Sequence, residues 1–283
     1  VSLAFSRLSS AAPMTSSTPL VGLIPAAGYA RRLGALPVSK EVFPLGTEAA
    51  ADGTARVRVP ADAVLRAFRE AGAARACVVL RDGKWDIPAY LGGGEEYDLA
   101  LAYLVTPPTP GVPFTIDRAT PFIADAIVLF GFPDIVFEPR DAFVQLCRRL
   151  DDTGADLVLG LFPARDPSKV DMVDLDPQGA IRSLVIKPEQ TTLTYTWLLA
   201  AWTPAFTRFL HTYVQRRRAH APLDDQDVHF GHVIEAAMEA GLAVTAAVMD
   251  DASYTDVGTL DALDSVRRHT SPQGPPVVPR ADG

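Results

Sequence analysis

Along the body of the chain, short apolar runs alternate with segments in which apolar residues return every three or four positions. Residues 20–24, 76–80, 99–105, 126–130, 156–162 and 242–248 are short, apolar and rich in branched side chains, the pattern of buried strands. Residues 61–71, 140–150, 204–217 and 229–239 carry the helical period instead. Strand and helix in alternation predict an α/β domain with a doubly wound, mostly parallel sheet. One stretch breaks the rhythm. Residues 170–176 and 180–186 flank Pro177-Gln178-Gly179, which predicts a β-hairpin inserted into the sheet. No internal repeat and no coiled-coil period interrupts the pattern.

At both ends the pattern stops. Residues 1–19 are small, polar and free of acids, and read as a disordered leader with Met14 as the initiating residue. Residues 271–283 are Pro-rich and read as a disordered tail. Residues 20–270 remain as a single domain.

Composition narrows the partners. Lys and Arg number 26 against 34 Asp and Glu, a net charge of −8, so no general field draws nucleic acid or an anionic membrane. An anionic substrate must therefore be held by a local cationic pocket. No uninterrupted apolar run approaches the roughly 20 residues that span a bilayer. Cys77 and Cys147 lie in apolar surroundings without disulfide or zinc spacing, which points to the cytoplasm.

The candidate chemistry begins just after the first predicted strand. Pro25–Gly46 reads PAAGYARRLGALPVSKEVFPLG. Ala26, Ala27 and Gly28 allow a sharp turn and a close backbone approach to a ligand. Tyr29, Ala30, Arg31 and Arg32 follow, and Lys40 stands ahead of Pro44. A small-residue turn closed by arginine and lysine supplies the N–H groups, guanidinium forks and point charge that grip a triphosphate. The same residues also suit an ordinary βα turn with solvated charges. The ordered sequence of turn, Arg, Leu-Gly, Ser-Lys-Glu and Pro-Leu-Gly favours the phosphate reading.

Two acids sit where a metal would be needed. Asp134 follows the predicted strand 126–130, and Asp256 lies between a short strand and a predicted helix from 259 to 268. Triphosphate chemistry uses Mg²⁺ held by one or two carboxylates with phosphate oxygens. Taken singly, Asp134 also suits a turn and Asp256 a helix start. Both the loop after strand 20–24 and Phe132–Asp134 should face one crevice beyond the carboxyl ends of the strands. His229 and His232, three apart on a predicted helix, have the spacing of a ligand pair, but the apolar segment around them favours structural histidines. Asp174-Leu175-Asp176 runs into the Pro-Gln-Gly turn and reads as a hairpin end.

Together these motifs resemble the signature of the sugar-phosphate nucleotidylyltransferases, of the glucose-1-phosphate thymidylyltransferase type. Arg32 and Leu33 occupy the family's Arg-Leu position and Lys40 its lysine, while Ala30 replaces a second glycine and Arg31 a threonine. The short spacing before Lys40 is similar to that of the cytidylyltransferases of isoprenoid synthesis, which share the fold. Asp256-Val257-Gly258-Thr259 matches the family's Asp-x-Gly-Thr, and Asp134 is the best candidate for its first metal-binding acid. The resemblance implies a GT-A-like, Rossmann-like fold, a nucleoside triphosphate and a phosphorylated small-molecule acceptor as partners, and release of pyrophosphate. Arg32, Lys40 and Lys187 would then be catalytic, and Asp134 and Asp256 would hold Mg²⁺.

The resemblance also marks departures. The stretch 103–111 lies on a base-reading segment whose glycine is Gly111, but whose glutamine is Thr106. Lys187-Pro188 keeps a Lys-Pro that meets the acceptor phosphate, whereas a hydroxyl-binding glutamate is Ile186 and a Tyr-Gly pair is Val170-Asp171. Asp171, Ile186 and Trp197 are therefore the candidate acceptor-binding residues, with Trp202 a second candidate for the wall. A non-catalytic nucleotide-binding protein and a related glycosyltransferase stand as alternative readings.

Overall fold

The computed structural model describes residues 18–29, 36–49, 53–220, 228–259, 262–264 and 266. Ala30, Arg31 and Arg32 lie outside the described residues, as do the Pro-rich tail and all but the last two residues of the leader. Of the helix predicted from 259 to 268, residues 262–264 and 266 are described and helical.

The chain opens with β1 (Leu20–Ala26), a hairpin of β2 (Gly46–Ala49) and β3 (Ala55–Arg58), and α1 (Ala61–Glu70). Next come β4 (Arg75–Arg81), α2 (Asp86–Leu91), β5 (Ala100–Thr106), α3 (Val112–Ile116) and α4 (Thr120–Ile123). The middle holds β6 (Ile127–Gly131), β7 (Ile135–Glu138), α5 (Ala142–Thr153), β8 (Leu157–Pro163), β9 (Met172–Leu175) and β10 (Ile181–Val185). The last elements are β11 (Tyr195–Trp202), α6 (Pro204–His220), α7 (Phe230–Glu239), β12 (Val244–Val248) and β13 (Ser253–Asp256).

Among the described residues, nine strands form one sheet in the order β10-β9-β11-β6-β1-β4-β5, with β8 and β12 branching from β11. β1, β4, β5 and β6 are mutually parallel, and β12 is parallel to β8. β11 runs against β6, β8 and β9, and β10 runs against β9. Only β10 and β11 therefore oppose the other seven strands. The sequence pattern did not reveal β11, which follows a hairpin without a helical segment between and so falls outside the strand–helix alternation, nor the short strands β2, β3 and β7.

Alternating side chains of the central strands feed two cores, one on each face. On one face Ile24, Ala26, Val78 and Leu80 pack with Val64, Leu65 and Phe68 of α1 and Phe143 and Leu146 of α5. On the other, Val21, Leu23, Cys77 and Val79 pack with Phe114, Phe206, Leu210, Phe230 and Val233. Cys77 and Cys147 are free thiols, as their positions in these layers require. None of the described helices is long and apolar enough to cross a membrane.

The predicted hairpin is present as antiparallel β9 and β10. Its turn is closed by Asp176, whose Oδ1 accepts from the backbone N–H groups of Gln178 (2.9 Å) and Ala180 (2.8 Å). That contact accounts for the Asp-Leu-Asp sequence. β9 joins β11 through Tyr195 and Thr196, at the start of that strand, so the hairpin stands beyond the carboxyl ends of the parallel strands. It becomes a wall there.

Candidate active site

The loop after β1 is pinned before it reaches Lys40. Ser39 donates its backbone N–H and its hydroxyl (2.8 Å) to Asp86. Lys40–Val42 then forms one 3-10 turn. Glu41 is 2% exposed and accepts from Lys84 Nζ at 2.5 Å, a fully buried ion pair between this turn and the loop after β4. Burial pushes the Glu41 carboxyl up and the Lys84 ammonium down, each against the pull of its partner. A third apolar cluster of Leu45, Val257 and Leu263 fastens the same loop to the segment after β13.

These anchors bring Lys40 onto Asp134. The two side chains form an ion pair through Nζ and Oδ2. Burial lowers the Lys40 pKa, but Asp134, then Glu41 and Asp256, more than offset it and hold the ammonium above the ordinary lysine value. Asp134 and Asp256 are themselves neighbours. β13 pairs antiparallel with β7 so that Asp256 faces Ile135, and Val257 donates its N–H to the Asp134 carbonyl at 2.9 Å. Asp256 Oδ1 also accepts from Gly258 N at 2.8 Å, the bond that orders the Asp-x-Gly-Thr turn.

Both carboxylates open on a cavity of about 240 Å³. Lys169, Val170 and Asp171 line it from the approach to β9, Lys187 from the exit of β10, and Thr196 and Trp197 from β11. Val112, Val228, His229 and Phe230 close the side next to α3 and α7. Five residues predicted separately as metal, acceptor and phosphate ligands thus share one chamber: Asp134, Asp256, Asp171, Lys187 and Trp197. Two of them carry buried polar atoms without a hydrogen-bond partner among the described residues, Asp171 Oδ1 and Trp197 Nε1. Such atoms cost about 1–3 kcal/mol each unless a ligand completes them. Burial raises the Asp171 carboxyl, while His229, Lys187 and His232 pull it back. Lys187 is held at φ 40°, in the left-handed region that a lysine avoids, and strain of this kind is concentrated at functional positions.

Some predicted residues stand elsewhere. Ile186 does not line the cavity; its Cδ1 lies 2.4 Å from where a side chain on Gly231 would begin, so it packs behind the Asp171 wall. Trp202 is fully buried and donates Nε1–H to Thr207 at 2.9 Å, a core role. Ala26 is buried at the end of β1, and Ala27 and Gly28 follow it into the open. Gly28 has no left-handed φ, and a side chain there would meet nothing within 4 Å. Among the described residues nothing therefore demands a glycine at this position, and the space in front of it is open. Tyr29 is 50% exposed, with the Arg81 guanidinium 4.6 Å from its ring centroid. Thr106 is buried at the end of β5. Gly111 adopts φ 147° and lies so near Val228 that a Cβ would come within 2.3 Å of its carbonyl oxygen. Gly111 is thus fixed by the approach of the 228–230 segment to α3.

The histidines reverse an expectation. His229 precedes α7 in extended conformation and lines the cavity, and His232 is exposed; neither is a core histidine. Lys169, Lys84 and Arg81 were also missed. The run Arg81-Asp82-Gly83-Lys84 directly after a predicted strand was the signal available for two of them, since crevice ligands come from such loops.

Comparison with known proteins bears on the family and the fold. The sequence profile described as nucleotidyl transferase matches residues 22–272. A structure described as a glucose-1-phosphate thymidylyltransferase from Bacillus anthracis, in complex with sucrose, superposes with a TM-score of 0.74 at 15% identity, covering 88% of this chain and 94% of that one. A UDP-glucose pyrophosphorylase complexed with UDP-glucose superposes with a TM-score of 0.71 at 14% identity, covering 89% and 98%. At such identities the likeness is one of fold. No curated protein sequence matches the chain.

Proposed function

The chain belongs to the nucleotidyl transferase family, and from that premise we propose that it transfers a nucleoside monophosphate from a triphosphate to a sugar 1-phosphate or similar phosphorylated acceptor. The observation that carries this reading is the convergence of Asp134, Asp256, Lys187, Asp171 and Trp197 on one cavity, with Lys40 against Asp134. Two carboxylates, a lysine for the acceptor phosphate and a lysine for the triphosphate are the groups that the reaction requires.

The acceptor phosphate is already an anion, so its oxygen attacks the α-phosphorus without a general base. The bond to the β-phosphate breaks, and pyrophosphate leaves with the electron pair. Lys187 positions the attacking phosphate, and Lys40 neutralises charge that grows on the α-phosphate and the leaving group. Asp171 Oδ1 and Trp197 Nε1 offer an acceptor and a donor to the hydroxyls of the incoming molecule.

Asp134 and Asp256 fit a magnesium ion. They are adjacent through the β7–β13 ladder, and a cationic group, the Lys40 ammonium, already rests against Asp134. With two carboxylates from the chain, Mg²⁺ here would draw its remaining ligands from phosphate oxygens and water. When bound, the ion would supply further neutralisation of the triphosphate charge.

The test is a pyrophosphate-release screen with Mg²⁺, crossing the common nucleoside triphosphates with sugar phosphates and other phosphorylated acceptors. Release that depends on both partners supports the reading. Tight nucleotide binding without release from any acceptor would favour a regulatory nucleotide-binding protein instead, and hydrolysis of a finished nucleotide sugar would point to glycosyl transfer.

A further inference from the structure

The acceptor cavity lies over β6, β9 and β11, and the turn proposed to hold the triphosphate follows β1. The sheet order β9-β11-β6-β1-β4-β5 leaves only one side for the nucleoside, across β1 from the acceptor, over the ends of β4 and β5. The last residues of those two strands are Arg81 and Thr106. They are register partners in a parallel pair, so their side chains leave the same face of the sheet.

Both carry a buried polar atom without a partner among the described residues, Arg81 Nε and Thr106 Oγ1. Arg81 is otherwise well placed. Its Nη1 donates to the Asp82 carbonyl at 2.7 Å, and its guanidinium lies 4.6 Å from the Tyr29 ring centroid, next to the turn after β1. A purely structural arginine has its buried N–H groups satisfied. Two orphaned groups side by side at adjacent strand ends form an incomplete hydrogen-bonding edge.

Resting on the nucleotidyl-transfer reading, we propose that Arg81, with Thr106 beside it, reads the base and selects one with a carbonyl next to a ring N–H. Guanine, uracil and thymine present that edge; adenine and the 4-amino edge of cytosine present an amino group next to a bare ring nitrogen, and cytosine's one carbonyl adjoins no ring N–H. A guanidinium has donors only, so it pairs with the carbonyl and opposes the amino group donor to donor. The Thr106 hydroxyl accepts from the ring N–H, and can turn to donate instead. The discrimination against the amino edge therefore lies with Arg81.

Calorimetric titration of the full chain with GTP, UTP, dTTP, ATP and CTP, each with Mg²⁺, tests this without an acceptor. At least one carbonyl-edge nucleotide should bind roughly tenfold or more tightly than both ATP and CTP, the scale of one good base contact. Arg81→Met should compress that preference to within about threefold, and Arg81→Gln, whose amide offers both a donor and an acceptor, should relax it toward ATP and CTP. ATP or CTP binding as tightly as the other three to the unaltered chain would overturn the inference alone. So would an equal loss of all nucleotides in both variants, which would make Arg81 a phosphate contact. Binding of none of the five would overturn the nucleotidyl-transfer reading itself.

Discussion

Lys40 and Asp134, 94 residues apart in sequence, meet as an ion pair that joins the loop after β1 to the loop after β6. The pair sets a cation beside a candidate metal ligand that lines the cavity. Each charge then depends on the other for its position. Lys40→Met and Asp134→Asn should each lower the rate of pyrophosphate release by about 10²–10³, the range for losing one preorganised charge stabiliser. The double variant should be little worse than either, because the two act as a unit. The Lys40 pKa is raised in the folded protein, so the pair's contribution to stability is complete below the ordinary lysine value and is lost as pH rises through the raised one. Melting temperature against pH should show this alkaline loss in the unaltered chain and not in Lys40→Met.

What the sequence made legible follows from how local each signal is. β1, β4, β6 and β8 declared themselves because strands buried on both faces read as apolar runs. Asp256 was legible because the Asp-x-Gly-Thr turn is one short contiguous unit, closed by its own Asp256–Gly258 hydrogen bond. The β7–β13 ladder that puts Asp256 next to Asp134 was not, since a pairing across more than a hundred residues leaves no trace in periodicity. Ile186 was misjudged for a related reason. Its position in a motif was readable, but its packing against Gly231 is a tertiary fact. The Glu41–Lys84 contact stayed hidden because a charged residue in a loop sequence reads as solvated.

That buried contact is a second point of leverage on Lys40. Lys84→Met would leave the Glu41 carboxylate buried without its cation, and should cost about 3–5 kcal/mol in chemical denaturation. A Glu41→Met, Lys84→Met double variant should recover most of the loss, since no uncompensated charge remains. Burial raises the Glu41 carboxyl, so its protonated form is favoured in the folded state and the penalty of Lys84→Met should shrink as pH falls. A penalty that grows toward acid pH would contradict this account.

Asp171 sets stability against acceptor binding. Its carboxyl is raised, chiefly by burial, which means that its charge opposes folding at neutral pH. The favourable contribution of the protonated form is complete below the ordinary aspartate value and is lost as pH rises through the raised one. Asp171→Asn should therefore melt above the unaltered chain at neutral pH, with the difference closing as pH falls through the carboxylate range. Turnover with the best acceptor should drop roughly tenfold or more, the scale of a hydrogen bond to a charged group. Thermal scans at several pH values, read beside acceptor kinetics, separate the two effects.

Lys187 makes the same opposition through the backbone. At φ 40° it occupies a conformation that costs an L-residue other than glycine roughly 1–2 kcal/mol. A surface hairpin exit with no further duty would favour glycine there; on the proposed reading the lysine in the cavity wall supplies an ammonium that glycine cannot. Lys187→Gly should accordingly raise stability, or leave it unchanged, by no more than about 1 kcal/mol. The same variant should lower the rate of pyrophosphate release by about 10²-fold at a fixed acceptor concentration. Lys187→Ala should lose the same activity without the gain in stability, because alanine keeps the strained Cβ. Equal turnover in all three proteins would show that the ammonium takes no part in holding the acceptor.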